Sequence, residues 1–274
     1  MRMTRWTLAG FFAAIILLAG VPAKPQDAQV LLPEQSTAKA KQLIQQAIQA
    51  LGGPAYLNVS DVTCTFRSSQ FGHSGDLTGY ATLTDYAKLP DKERLENTGK
   101  RNLIEVYNGD KGWILDRGGV QDAPPDAITE RNENLKKDID NILRDRVKEP
   151  GMIFRYAGPD LVDLKESDWI ELVDRDGRTI RIAFDRGSHF PVRKIIVTRD
   201  PNSGLRDEEI DYFSNYHPIQ GIETPFQVSS EKNGLKTGQL FLRDCQYNTG
   251  LSDSLFTKES LDERWSKVGK KKKK

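Results

Sequence analysis

Two cysteines and three histidines are all that a chain of 274 residues offers for thiol or soft-metal chemistry. Neither cysteine belongs to a C-x-x-C pair or stands beside a histidine, which removes the zinc and thiol-nucleophile signatures. His73 lies in a Gly-rich turn, His189 precedes Phe190-Pro191 and His217 precedes Pro218, so each reads as a turn residue. Ser68-Ser69 and Ser229-Ser230 lack the Gly-x-Ser-x-Gly elbow. Gly109-Asp110-Lys111-Gly112 and Gly118-Gly119 lack the Gly-Lys-Ser/Thr and the closely following helix of a phosphate loop. The acidic groups Asp207-Glu208-Glu209-Asp211 and Glu166-Asp168 would serve glycoside hydrolysis only if held facing across a cleft, and beside turns they read as solvated rims. The sequence therefore predicts no enzyme, no cofactor and no metal. Charge of one sign is missing too: 40 Lys+Arg against 39 Asp+Glu leave a net charge of +1, which supplies no field for nucleic acid.

Long apolar runs are absent except at the start. Arg2 and Arg5, the apolar stretch Leu8–Gly20 and Val21-Pro22-Ala23 compose an export signal over residues 1–23, the alternative being an uncleaved anchor. No cysteine follows the run, so no lipoprotein acylation site is read there. Export permits a disulfide. Cys64 and Cys245 both fall in predicted strands near opposite ends of the strand series, and a bridge or two buried thiols are equally compatible with that placement. Residues 259–274 read as a basic tail ending in Lys270, Lys271, Lys272, Lys273 and Lys274. A solvated end is the simpler reading, and contact with an anionic membrane the alternative.

Residues 24–35 read as a flexible leader carrying Pro and Gln. Ser36 is placed to cap a helix over Thr37–Leu51, with Ala40, Leu43, Ile44, Ala47, Ile48 and Leu51 on one face and Gly52-Gly53-Pro54 as its stop. From Val59 the period shifts towards two, and hairpin turns separate about eleven short apolar-polar runs. Arg175-Asp176-Gly177-Arg178, between Trp169–Val173 and Thr179–Phe184, is the strongest hairpin signal. Links this short make sequence neighbours spatial neighbours, which predicts one antiparallel meander curling under its own twist. The fold class is mainly β with α: a single curled meander, an incomplete β-barrel, with helices over its concave face.

One helical pattern interrupts the strands. Asp126–Lys148 places Ile128, Leu135, Ile139, Ile142, Leu143 and Val147 on a thin stripe, with Asp126 as cap and Glu133/Lys137 and Asp140/Arg144 as i,i+4 pairs. Six such side chains contribute about 10–15 kcal/mol gross. Ordering each backbone residue costs on the order of 1–2 kcal/mol. The pattern therefore predicts a movable cover. Strand parity and this stripe nominate the lining of an apolar site: Tyr80, Leu103, Trp113, Leu115, Ile180, Ile182, Phe184, Ile195, Phe226, Val228, Leu240 and Leu242 from the sheet, with Ile128, Leu135, Ile139 and Ile142 from the cover.

The order of helix, Ala50-Leu51-Gly52-Gly53, meander, Pro90-Asp91-Lys92-Glu93-Arg94-Leu95-Glu96 and Ile104-Glu105-Val106-Tyr107-Asn108-Gly109-Asp110-Lys111-Gly112-Trp113 resembles the LolA-like family of periplasmic lipoprotein-sorting proteins. Asp211-Tyr212, Gly221-Ile222-Glu223-Thr224-Pro225, Gly250-Leu251 and Ser254-Leu255-Phe256 continue the likeness, which spans roughly Leu43–Phe256. The resemblance implies a half-barrel domain over residues 36–258. It also implies a carrier of lipoprotein acyl chains or other lipids in a Gram-negative periplasm, serving outer-membrane biogenesis beside envelope transport proteins. The alternative it implies is an envelope regulator or protein-interaction module of the same fold.

Overall fold

The computed structural model describes residues 31–97, 103–199 and 204–271, with side chains as far as 267. The export signal, the start of the leader, the links at 99–100 and 201–203, and Lys272–Lys274 lie outside them, as do the side chains of Lys270 and Lys271.

Thirteen antiparallel strands form one sheet: β1 Asp61–Phe71, β2 Leu77–Lys88, β3 Lys92–Asn97, β4 Leu103–Asn108, β5 Lys111–Asp116, β6 Gly119–Asp122, β7 Ile153–Val162, β8 Lys165–Val173, β9 Thr179–Asp185, β10 Pro191–Arg199, β11 Arg206–Ile219, β12 Ile222–Lys232 and β13 Leu235–Tyr247. The order runs β6-β5-β4-β3-β2-β1-β13-β12-β11-β10-β9-β8-β7, so every hairpin link pairs its own strands. Among the described residues the one long-range pairing joins the first strand to the last. The sheet stays open because β6 and β7 do not pair, and it is an open curled meander. Thirteen strands replace the expected eleven or so. Among those added is β6, which the sequence hides behind Gly118-Gly119: Gly119 adopts φ +113° as its strand passes against the Trp265 ring.

Cys64 and Cys245 are direct partners across β1 and β13 and form a disulfide. That settles the open alternative in favour of a bridge at the sheet's one non-local seam.

Helix α1, Pro33–Ala50, starts earlier than Ser36. Pro33 takes the first helical position, where a missing N–H costs nothing. The Ser36 hydroxyl instead accepts from the Tyr156 backbone N–H, while the Thr37 hydroxyl donates to the Phe154 carbonyl. Both partners belong to β7, so α1 satisfies part of the sheet's edge. A short helix, α2 (Pro54–Leu57), follows and buries Tyr56.

The central segment is three pieces rather than one helix: α3 Pro125–Lys137, α4 Ile139–Arg144 and a 3-10 turn Arg146–Lys148. Asp138 divides them. Its backbone is extended (ψ 133°) and its carboxylate accepts from the Asn141 N–H, so it acts as the N-cap of α4. Asp126, expected to cap, lies within the first turn of α3, whose N-cap is Pro124. Lys137 reaches Glu209 rather than Glu133, which pairs with Lys136 and Arg178, while the Asp140–Arg144 pair forms at 3.4 Å. Because this segment joins β6 to β7, it connects the two free edges of the open sheet.

The last helix, α5 (Lys258–Lys271), begins where the sequence reading places a basic tail. Leu261 there and Phe256 before it are fully buried against Ile104, Val106 and Leu115.

Candidate functional site

The spacing of three and four along α1 turns Ala40, Leu43, Ile44, Ala47 and Leu51 inward. They meet Ile139, Ile142 and Leu143 from α4 and Ile170, Leu172, Ile180, Ile182, Phe184 and Ile196 from β8–β10. Ile170, Leu172, Ile180 and Ile182 retain no exposed surface. This part of the concave face is a closed core, filled by helical side chains.

The open volume lies one layer outward. A cleft of about 970 Å³ runs between α1 and the α4–3-10 stretch, near the upper end of the ~300–1,000 Å³ range of small-molecule sites. Ile44, Ile48, Leu57, Leu143, Val147 and Phe154 give it an apolar surface; Lys41, Lys148, His189 and the glutamines of α1 edge it. Leu143 and Val147 belong to the stripe read from sequence, and Ile44 and Ile48 are one helical turn apart on α1.

Helix α3 is held differently. Ile128 and Leu135 are only half-buried and fall outside every buried cluster. Polar ties position it instead. Arg131 Nε donates to Glu93 of β3 at 2.9 Å, Lys137 Nζ to Glu209 of β11 at 2.7 Å, and Arg178 beside β9 to Glu133. The helix thus bridges strands from both halves of the open sheet. On the face that carries Asp85, register places Leu83, Phe66 and Leu242 side by side across β2, β1 and β13, and Leu240 opposite Val228 of β12. All five remain half-buried, an apolar belt that no helix seals completely.

Polar groups are threaded through this region. Burial pushes the Asp85 carboxyl well up, Glu93 adds to the effect, and Arg131 opposes it. Asp85 Oδ1 is buried with no hydrogen-bond partner among the described residues. Burial also raises Glu105. Under α4, Tyr56 donates its hydroxyl to Asp140 at 2.8 Å while the Arg144 guanidinium lies 4.3 Å over the Tyr56 ring. At the foot of the segment burial works against the Asp174 carboxylate, yet hydrogen bonds from Arg146 and from the Arg178 backbone hold its pKa below the ordinary value. No group of three or more His, Cys, Asp or Glu among the described residues is placed to hold a metal.

The nominated lining residues scatter. Ile180, Ile182, Phe184, Ile139 and Ile142 come together, but in the sealed core. Val228 and Leu242 pack at its margin, with Leu240 beside them in register. Trp113 and Leu115 face the other way: they pair with Val106 and Ile104 and lie under Phe256 and Leu261. Ile195 is likewise on the opposite face, with Trp169 and Ala183, while its neighbour Ile196 faces the core. The cause in both cases is that the sheet is apolar on two faces, so strand parity alone names two candidate linings. Leu103 is half-buried on the Tyr107 side of β4, outside the buried clusters. Tyr80 is 68% exposed under the Arg67 guanidinium, and Phe226 packs edge-on to His217. The contribution of α1 to the cleft was missed because its outward residues are polar. The signal available was the Ile44/Ile48 pair beside Lys41.

No family model and no curated protein sequence matches the chain. Solved structures do. A DUF1329 family protein from Desulfovibrio piger superposes with a TM-score of 0.57 at 15% identity, covering 81% of this chain and 98% of that one. An outer membrane lipoprotein-sorting protein domain from Vibrio parahaemolyticus gives 0.54 at 12% identity, with 82% and 99% covered. A LolA superfamily protein from Nitrosomonas europaea gives 0.51 at 15% identity, with 81% and 99% covered. The fold is thus shared with these structures over most of the chain, and it is LolA-like.

Proposed function

We propose that the protein is an exported, periplasmic carrier that binds acyl chains, of lipoproteins or of other lipids, and catalyses no reaction. The carrying observation is the cleft of about 970 Å³ between α1 and the α4–3-10 stretch, floored by the half-buried Ile48, Val147 and Phe154 above the buried Ile44 and Leu143. An acyl chain laid on such a floor gains about 0.8 kcal/mol for each methylene it buries. The half-buried belt Leu83–Phe66–Leu242 continues apolar surface inside the curl, and α3, tied by ion pairs more than by packing, is the element whose displacement would admit a chain to it. The likeness to a lipoprotein-sorting domain and a LolA superfamily protein supports the reading at the level of fold.

Mass spectrometry of organic extracts of the purified protein, with displacement of a fluorescent fatty acid, tests it. Co-purifying lipid or saturable probe binding is expected, weakened several-fold by Ile48→Ser with Val147→Ser. Absence of both lipid and probe binding overturns the proposal.

A second reading, an interaction module, draws on the free edge. Beyond Tyr156, β7 ends the sheet with Leu161 63% exposed, and such an edge can accept a further strand. A stable partner, blocked by Leu161→Pro, in a protein that takes up no lipid would favour it.

A further inference from the structure

The rim of the cleft has a sign. Its lining contains two lysines, a histidine and four glutamines, and no acidic residue. The chain as a whole balances 40 basic against 39 acidic residues, so an acid-free lining of this size is a local asymmetry rather than a consequence of composition. The second cleft, about 550 Å³ beside β11, shows the contrast: there Asp163 and Asp185 accompany Lys165.

The two lysines are also underused. Lys41 has its Nζ 4.9 Å from the centroid of the Phe154 ring, so its ammonium stands at the border of the apolar floor. Lys148 meets Asp145 only at 3.7 Å, with both side chains more than 60% exposed. A pair that long and that wet holds its ammonium weakly. Lys41 comes from α1 and Lys148 from the 3-10 turn, so the two cations belong to opposite walls. The four glutamines, Gln42, Gln45, Gln46 and Gln49, add neutral amide donors along the α1 wall.

From this we infer that the cleft takes an anionic amphiphile: an acyl chain on the Ile48–Val147–Phe154 floor, with its carboxylate or phosphate head between Lys41 and Lys148. The inference rests on the acyl-binding reading and adds the charge of the ligand to it. A phosphate or carboxylate accepts charge-assisted hydrogen bonds from both ammonium groups, whereas a neutral glyceride head offers the lysines nothing they lack in water. Bridging the walls, the head would also draw α1 and the 3-10 turn together over the chain.

The test uses the full mature chain, stripped of lipid, and three amphiphiles sharing one palmitoyl chain: lysophosphatidic acid, lysophosphatidylcholine and monopalmitoylglycerol. Each displaces a fluorescent probe below its micellar concentration, and glycerol phosphate serves as head group without chain. Lysophosphatidic acid is expected to bind roughly tenfold more tightly than monopalmitoylglycerol, the gain of a charged hydrogen bond over none. Glycerol phosphate should not compete. Lys41→Gln with Lys148→Gln should erase the gap while leaving monopalmitoylglycerol affinity and melting temperature in place, since both side chains are exposed. Equal affinity for the three amphiphiles overturns the head-group inference and leaves acyl binding standing. Binding of none of them overturns both. Competition by glycerol phosphate alone overturns the inference by showing a site that reads charge without a chain.

Discussion

At the scale of single residues, the most informative side chain is Asp85. Its register partners are Cys64 on one side and Leu95 on the other, so a carboxyl sits among disulfide and leucine under the end of α3. Burial and the neighbouring Glu93 push its pKa up, Arg131 only partly offsets them, and Oδ1 finds no donor among the described residues. A carboxyl with a raised folded pKa binds its proton more tightly folded than unfolded. It therefore favours the fold at low pH and loses that contribution as pH rises from the ordinary aspartate range through the elevated folded value. Asp85→Asn keeps the shape and removes the ionisation. It should raise stability at neutral pH, where the unfolded aspartate is ionised and burying that charge opposes folding. The gain should shrink towards zero below about pH 4, where aspartic acid is protonated in both states. Chemical denaturation of both proteins across pH measures this, and an Asn variant less stable at neutral pH would contradict it. Asp174 is the opposite case, a buried carboxylate held ionised by Arg146 and Arg178, and sequence marks neither one as special. Aspartates in strand and turn look alike until their neighbours are known.

At the scale of elements, the segment between β6 and β7 divides at Asp138 into a part held by ions and a part held by packing. The stripe read from sequence is present, yet its two ends differ: Ile142 and Leu143 are fully buried and Ile128 and Leu135 are not. Sequence periodicity registers which residues share a side of a helix, and it is blind to how close the facing surface comes. Removing two of the three ionic ties by Arg131→Gln with Lys137→Gln, the Arg178–Glu133 pair remaining, should therefore raise amide exchange in residues 125–137 several-fold. Exchange in 139–144, which is held by packing, should change little. Ligand exchange should quicken in the same variant. Uniform loss of protection through both helices would show that the two move as one. By contrast Ile142→Ala, in the sealed core, should cost about 2–5 kcal/mol.

At the scale of the whole molecule, the Cys64–Cys245 bridge and the β1–β13 seam join residues 181 positions apart. A loop that long loses about 5 kcal/mol of denatured-state entropy in the chain-entropy model. Replacing both cysteines by serine should lower unfolding free energy by up to that amount, and reductant should affect the wild type and spare the variant in guanidinium titrations. A bridge-free variant of unchanged stability would mean that the seam is set by its strand pairing alone.

The meander is legible from residue order alone, because hairpin turns such as 174–178 act over a few residues and their chemistry is local. Period alone gives α1 and the central stripe for the same reason, being written within one turn of helix, whereas neither Ser36 nor Asp126 caps its helix. Packing between distant elements is what seals the concave face of β8–β10 and leaves the open cleft between α1 and the 3-10 turn. It alone decided that Trp113, Leu115 and Ile195 face away from the cleft side, since a sheet apolar on both faces satisfies alternation in either sense. It alone turned Lys258–Lys271 from a tail into α5, through one buried leucine whose partners lie about 150 residues earlier. Burial depends on which distant surfaces meet, and the amphipathic floor with two lysines at its rim exists only once α1 and the segment after Asp138 are brought to the same side of the sheet.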